Sequence, residues 1–193
     1  MSKRRPKKIV PTIDRTPRLR QALAKRTKDE LLDILVELAR EDRKILRRLD
    51  ARVELAAPPQ ELAAATRQAI ADATNFDERD VNRNFSYDYE AYGEVKRNLS
   101  RLIELGELHL AMDLSLELMQ QGSCQVEMSD EGLMTQDIEE CLQVVLQALK
   151  KCSLPPDEDV AWCAGMTKSD RVGFICDRDI DALRNQFLAL SSQ

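Results

Sequence analysis

Rings are scarce in this chain: aromatics make up 4% of its 193 residues, as one Trp, three Tyr and four Phe. Strands favour aromatic and β-branched side chains, and no alternating segment of useful length occurs, which disfavours sandwiches and barrels. The six glycines never cluster, so phosphate-cradling loops and dinucleotide-binding turns are excluded. Histidine occurs once, at His109, and the five cysteines, at 124, 141, 152, 163 and 176, come no closer than eleven residues to one another. Structural zinc sites draw on tight Cys or His pairs, and an odd, scattered set fits reduced thiols in a reducing compartment. No run approaches the ~18 apolar residues of a membrane helix, and the basic N-terminus lacks the apolar core of a signal peptide. The expectation is a soluble, cytoplasmic protein with no metal, no cofactor and no membrane span.

Catalytic constellations are missing too. His109 lies in Glu107-Leu108-His109-Leu110-Ala111 with no Cys or Ser placed as a nucleophile, so a general base there has nothing to activate. Asp177, Asp179 and Asp181 imitate the opening of a calcium loop. Ala182 stands where that loop needs glycine and Leu188 where it needs glutamate, so the carboxylates read as caps for the last helix. The chain is expected not to be an enzyme.

What is present is 43% apolar and 33% charged residues with helical spacing, and an uneven division of charge. Residues 1–28 hold eleven Lys or Arg against Asp14 alone, whereas the rest holds eighteen bases against thirty-three acids. Residues 1–8, with Lys3, Arg4, Arg5, Lys7 and Lys8, have nothing to bury, and residues 1–15 are expected to be a basic disordered tail that contacts a polyanion or folds back on the chain's own acidic body.

Thr16-Pro17 reads as a helix start running to about Lys25. Thr27-Lys28-Asp29-Glu30 is a capping box, and the apolar residues after it, Leu31 to Ala39, are so many that this helix should be buried on more than one side. With Ile45, Leu46, Leu49 and Val53 it makes a helical hairpin over residues 27–56, closed by Pro58-Pro59. Helices follow from Pro59 to about Thr74 and over residues 87–105 with Ser86 as N-cap. The next runs from Leu108 to about Gly122, with Gly106 as the turn before it. One more carries Ile138 to Leu149, a shorter one Val160 to Met166, and the last Ile180 to Leu190. Pairs recur at roughly 35 to 45 residues, the range of helical repeats. The fold expected is all-α: antiparallel hairpins stacked as a TPR/HEAT-like array or a compact helical bundle, one domain over residues 16–193 behind the basic tail.

Two surface features carry the functional expectations. Arg40, Arg43, Lys44, Arg47 and Arg48 share one face if their helix is continuous, either a solvated, salt-bridged face or a phosphate contact joined to the basic tail. Phe76, Phe85, Tyr87, Tyr89 and Tyr92 gather five of the eight rings within seventeen residues. They form a peptide-binding or base-stacking surface, or they pin a loop to the core at a helix start.

The segment Phe85-Ser86-Tyr87-Asp88-Tyr89-Glu90-Ala91-Tyr92-Gly93-Glu94-Val95 resembles the helical region that accompanies SWIM-type zinc fingers in bacterial proteins, where an aromatic, a Tyr and an Ala-Tyr lead into a long helix. Residues 28–42 resemble the hairpin that often follows the finger, and the similarity extends over about residues 27–187. This chain has no CxC pair, so no zinc ligand carries over, and the resemblance implies the helical-repeat region alone. The function expected is therefore a non-catalytic helical-repeat protein that binds a protein partner, with Phe85, Tyr87, Tyr89 and Tyr92 as the contact. The alternative is a nucleic-acid-associated accessory protein that uses the tail and the Arg40 to Arg48 face.

Overall fold

The computed structural model describes residues 14–53, 56–75, 77, 87–129, 135–152 and 154–191. Lys3, Arg4, Arg5, Lys7, Lys8, Phe76 and Phe85 lie outside the described residues, as does the cap expected at Ser86. Nine helices and no strand occur among the described residues. They are α1 (Thr16–Leu23), α2 (Lys28–Glu41), α3 (Arg43–Val53), α4 (Pro59–Ala73), α5 (Tyr89–Glu104), α6 (Leu108–Met128), α7 (Thr135–Leu149), α8 (Pro156–Ser169) and α9 (Asp177–Ser191). Their contacts divide the chain into two units, one through Leu49 and one from Asp50 onward, where the sequence suggested a single domain from residue 16.

Local signals set the helix ends. Thr27 and Glu30 form the reciprocal capping box: Thr27 N donates to Glu30 Oε2 at 2.8 Å, and Glu30 N donates to Thr27 Oγ1 at 3.2 Å. At the end of α5, Gly106 takes φ +82°, its N–H donates to Ile103 and that of Glu107 donates to Leu102. This doubly bonded left-handed turn reverses the chain in three residues. Asp88 caps α5 by accepting from Ala91 N at 3.2 Å, the role expected of Ser86. At α1, Asp14 accepts from Thr16 N at 2.9 Å, so the cap lies ahead of Thr16.

The core belongs to the second unit. Helix pairs that pack extensively there are one or two apart in sequence: α4 on α5 and α6, α5 on α6 and α7, α6 on α7 and α8, and α9 on α7 and α8. Neighbours two apart run parallel. Arg67 pairs with Glu117 and Gln125 with Ala73 between α4 and α6, and Trp162 with Met112 and Ser123 with Ser169 between α6 and α8. Tyr87 with Asp137 and Cys141 with Tyr92 fix α7 along α5 in the same sense. The partners in these pairs stand 46 to 52 residues apart. These separations exceed the 35 to 45 residues of the sequence spacing. One reason is α6, which continues to Met128 instead of stopping at Gly122. Gly122 serves packing: a Cβ there would stand 2.8 Å from Ile138 Cδ1, so its absence lets α7 approach.

A buried amide joins three of these helices. Gln125, 2% exposed, donates from Nε2 to the Ala73 carbonyl at 3.0 Å and accepts the Tyr92 hydroxyl on Oε1 at 2.8 Å. It satisfies a carbonyl left over at the end of α4 and the phenol of α5 together.

The first unit contrasts with this. Neither α1 nor α2 contains a buried residue, which corrects the expectation that α2 is buried on more than one side. The expected hairpin over residues 27–56 does not form either, since no pair among α1, α2 and α3 packs extensively. Asp42, at φ −129° and ψ 113°, breaks the helix, and its Oδ1 accepts from Lys44 N at 2.8 Å to open α3.

If Gln125 holds α4, α5 and α6 together, Gln125→Ala will lower unfolding stability by about 2 to 4 kcal/mol, the cost of two stranded buried groups and a small void. In a double-mutant cycle with Tyr92→Phe the two losses will fall short of additivity by ~0.5 kcal/mol or more in urea titrations. Simple addition would show the two side chains to be independent.

Candidate functional site

The structure separates the tyrosines by role. Tyr92 is 2% exposed and its ring meets that of Tyr87 edge to face, with centroids 6.2 Å apart. Tyr87 is half-buried, and its hydroxyl donates to Asp137 Oδ2 at 2.5 Å. Both rings thus pin the start of α5 against α6 and α7. Of the candidate contact residues that are described, Tyr89 alone is largely open to solvent, at 65%.

The basic face is broken. Because α2 ends at Glu41 and α3 begins at Arg43, Arg40 does not continue the row of Arg43, Lys44, Arg47 and Arg48. Arg47 is buried at 4% exposure, while Arg40, Arg43, Lys44 and Arg48 are exposed. The five cysteines are free thiols, with Cys141, Cys163 and Cys176 buried, Cys124 half-buried and Cys152 exposed. Burial is the main reason the Cys141 and Cys176 thiols are pushed up to about 12 and that of Cys163 to about 11. His109 lies exposed on α6 with Nε2 3.0 Å from Glu158 Oε2. Next to Glu158, Asp159 is buried in the first turn of α8, where burial and then the Glu158 charge raise its carboxyl above the ordinary range. Asp179 is engaged by Gln143 Nε2 at 2.7 Å and Lys150 Nζ at 3.4 Å.

One cleft, of about 390 Å³, opens beside α5 and is lined by Ala51, Lys96, Arg97, Ser100, Arg101 and Glu104. Its charge is largely compensated, since Lys96 pairs with Glu140 at 2.9 Å and Arg101 with Asp50 at 3.2 Å. A second, about 410 Å³, is an apolar groove between α1 and α2, lined by Leu23, Ala24, Leu31, Ile34, Leu35 and Leu38 with Arg20 at its edge.

That groove is part of a larger apolar surface. At about 100° per residue, Leu31, Leu32, Ile34, Leu35, Val36, Leu38 and Ala39 cover roughly 200° of α2, twice the stripe of an ordinary surface helix. Leu32 and Val36 are each 48% exposed, and Leu35 and Leu38 are exposed as well. Sequence periodicity finds this arc and, by its width, assigns it to the core. The structure leaves it open. Comparison of the chain with protein-family models, curated proteins and solved structures returns no match.

Burial, then the hydrogen bond and charge of Asp137, push the Tyr87 phenol up to about 12. A raised folded value means stability that is intact below the ordinary phenol value near 10 and is lost as pH rises through about 12. Tyr87→Phe will therefore flatten the decline of unfolding stability across that window, where the buried thiols still contribute in the same sense. An unchanged slope in urea titrations at successive pH values would show that the Tyr87 phenol is not linked to folding.

Proposed function

We propose that this is a non-catalytic interaction protein whose N-terminal helices dock on a protein partner, with α4 to α9 as a self-supporting body. One observation carries the reading: the apolar arc of α2, more than half the helix circumference, contains no buried residue. Covering apolar surface is favourable by roughly 25 cal/mol per Å², and exposed patches of this kind mark contact sites. The free thiols favour a cytoplasmic setting. Among the described residues, no helix is long and apolar enough to cross a membrane. The similarity of residues 27–187 to the region beside SWIM-type fingers would extend to helical architecture and carries no activity.

The test is site-specific photocrosslinking in cells that make the protein. A benzophenone residue in place of Val36 will give covalent protein adducts, and one in place of Gln147, exposed on α7, will not. Leu32→Gln will leave the unfolding midpoint of the body unchanged and reduce the adducts. Absence of adducts at position 36 would remove the docking reading.

A second reading, phosphate contact, draws on the exposure of Arg40, Arg43, Lys44 and Arg48. It predicts that the anisotropy of labelled duplex DNA rises with added protein at low salt and falls steeply as salt increases, with little sequence preference. Arg43→Ala with Lys44→Ala would shallow the salt slope by about one unit per lost phosphate contact. No binding at low salt would dismiss the reading.

A further inference from the structure

The occupant of the α2 surface can be argued further. We propose that it is the same surface of a second copy of this chain, giving a two-fold homodimer; the proposal rests on the docking reading above and adds the partner.

The described part of the first unit, residues 14–49, has Arg47 as its sole buried residue. The unit as a whole runs from Met1 to Leu49, and scaffolds below ~70 residues usually need a disulfide, a metal or oligomerisation to hold a fold. No cysteine precedes Cys124 and no histidine precedes His109, so a disulfide within this unit and a Cys/His metal site are both excluded by composition. Association remains.

The α2 surface is also self-complementary. In a two-fold interface, whatever one copy presents must fit what the other presents at the symmetry-related position. Laid antiparallel on itself about Leu35, α2 sets Leu31 against the partner's Ala39, Leu32 against the partner's Leu38 and Ile34 against the partner's Val36. Every such pair is apolar. Charge agrees: five bases stand against Asp14 between residues 14 and 26, and five acids against two bases in α2. Asp29, Asp33, Glu37 and Glu41 fall at successive four-residue steps and form one acidic row. Asp29 and Glu41 border the apolar arc and are the acids that the basic α1 of the other copy can reach, whereas Asp33 and Glu37 lie opposite Leu35. The groove of about 410 Å³ between α1 and α2 is lined by apolar side chains and suits inserted aliphatic ones.

The experiment is sedimentation velocity of the purified full chain over a wide concentration range. The expected species has twice the 22.0 kDa chain mass. Leu35→Glu will weaken association at least ~100-fold, because it places an acid at the two-fold axis among apolar side chains. Exposed charges give a check that spares packing. Asp29→Lys with Glu41→Lys, at the borders of the arc, will weaken the dimer by ~10-fold or more, and adding Arg18→Glu with Arg20→Glu will restore most of it. Circular dichroism and the unfolding midpoint, unchanged in each variant, will show that the body remains folded. A monomer at every concentration, or a dimer indifferent to these substitutions, would overturn the second copy as occupant. The two readings then part at position 36: heterologous adducts there leave docking standing with another partner, and no adducts remove both.

Discussion

A buried amide that must find a partner for both its nitrogen and its oxygen permits very few arrangements of the helices around it. Gln125 reaches the Ala73 carbonyl at the end of α4 with one end and the Tyr92 hydroxyl with the other. Apolar side chains alone would tolerate a slip of one turn between helices, with modest loss. Here a slip would strand a carbonyl and a phenol away from water, each at a cost of roughly 1 to 3 kcal/mol. The amide therefore sets the register of the first three helices of the body. Gly122, one turn earlier on α6, sets their distance from α7 by leaving room for Ile138. Given register and spacing at one corner, the parallel relation of helices two apart propagates: Trp162 on the Met112 carbonyl repeats between α6 and α8 the kind of tie that Gln125 makes between α4 and α6.

The N-terminal helices are stabilised differently. A helix of fourteen residues is marginal in water, even with good ends, since nucleation costs more than a few caps return. The Thr27 and Glu30 capping box contributes on the order of 1 kcal/mol, and Arg26 adds an exposed pair to Glu30 at 3.2 Å. The acidic row works in the other direction, because like charges four residues apart repel along a helix by a few tenths of a kcal/mol each. A helix with an uncovered apolar arc and a self-repelling polar side is incomplete as an isolated object. A partner that covers the arc relieves the first deficit, and cations brought to Asp29 and Glu41 at its borders relieve part of the second.

What was legible in the sequence was whatever a few neighbouring residues determine. The capping box and the Gly106 turn depend on residues within five positions of one another, and both are found where the pattern put them. Gly122 was misread because glycine ends helices when nothing else needs its missing Cβ, and the competing need came from Ile138, sixteen residues away in sequence. The tyrosines show the same limit. Composition located the cluster, but which rings face inward depends on Gln125 and Asp137, in helices the pattern cannot dock. The width of the apolar arc on α2 was also legible. Its cover was not, since periodicity says which face is apolar and is silent on whether the covering surface lies in the same chain. The basic row failed for a smaller reason: one residue, Asp42, caps α3 with its side chain and turns a continuous face into two.

These differences give the two parts of the chain different sensitivities. In the body the titratable groups with large shifts are Tyr87, Tyr92 and three cysteines, and in each burial comes first and favours the neutral form. Groups held neutral at physiological pH respond little to salt, so stability of the body is governed by packing and declines on the alkaline side. The N-terminal segment has its charges in solvent, where screening acts within about 8 to 10 Å at physiological ionic strength. Ionic strength then acts chiefly on the N-terminal helices and their contacts and leaves the body's fold almost untouched. Any association through the N-terminal helices is then separable from folding of the body, because the body depends on buried, neutral polar groups and those helices present exposed charge beside an uncovered apolar face.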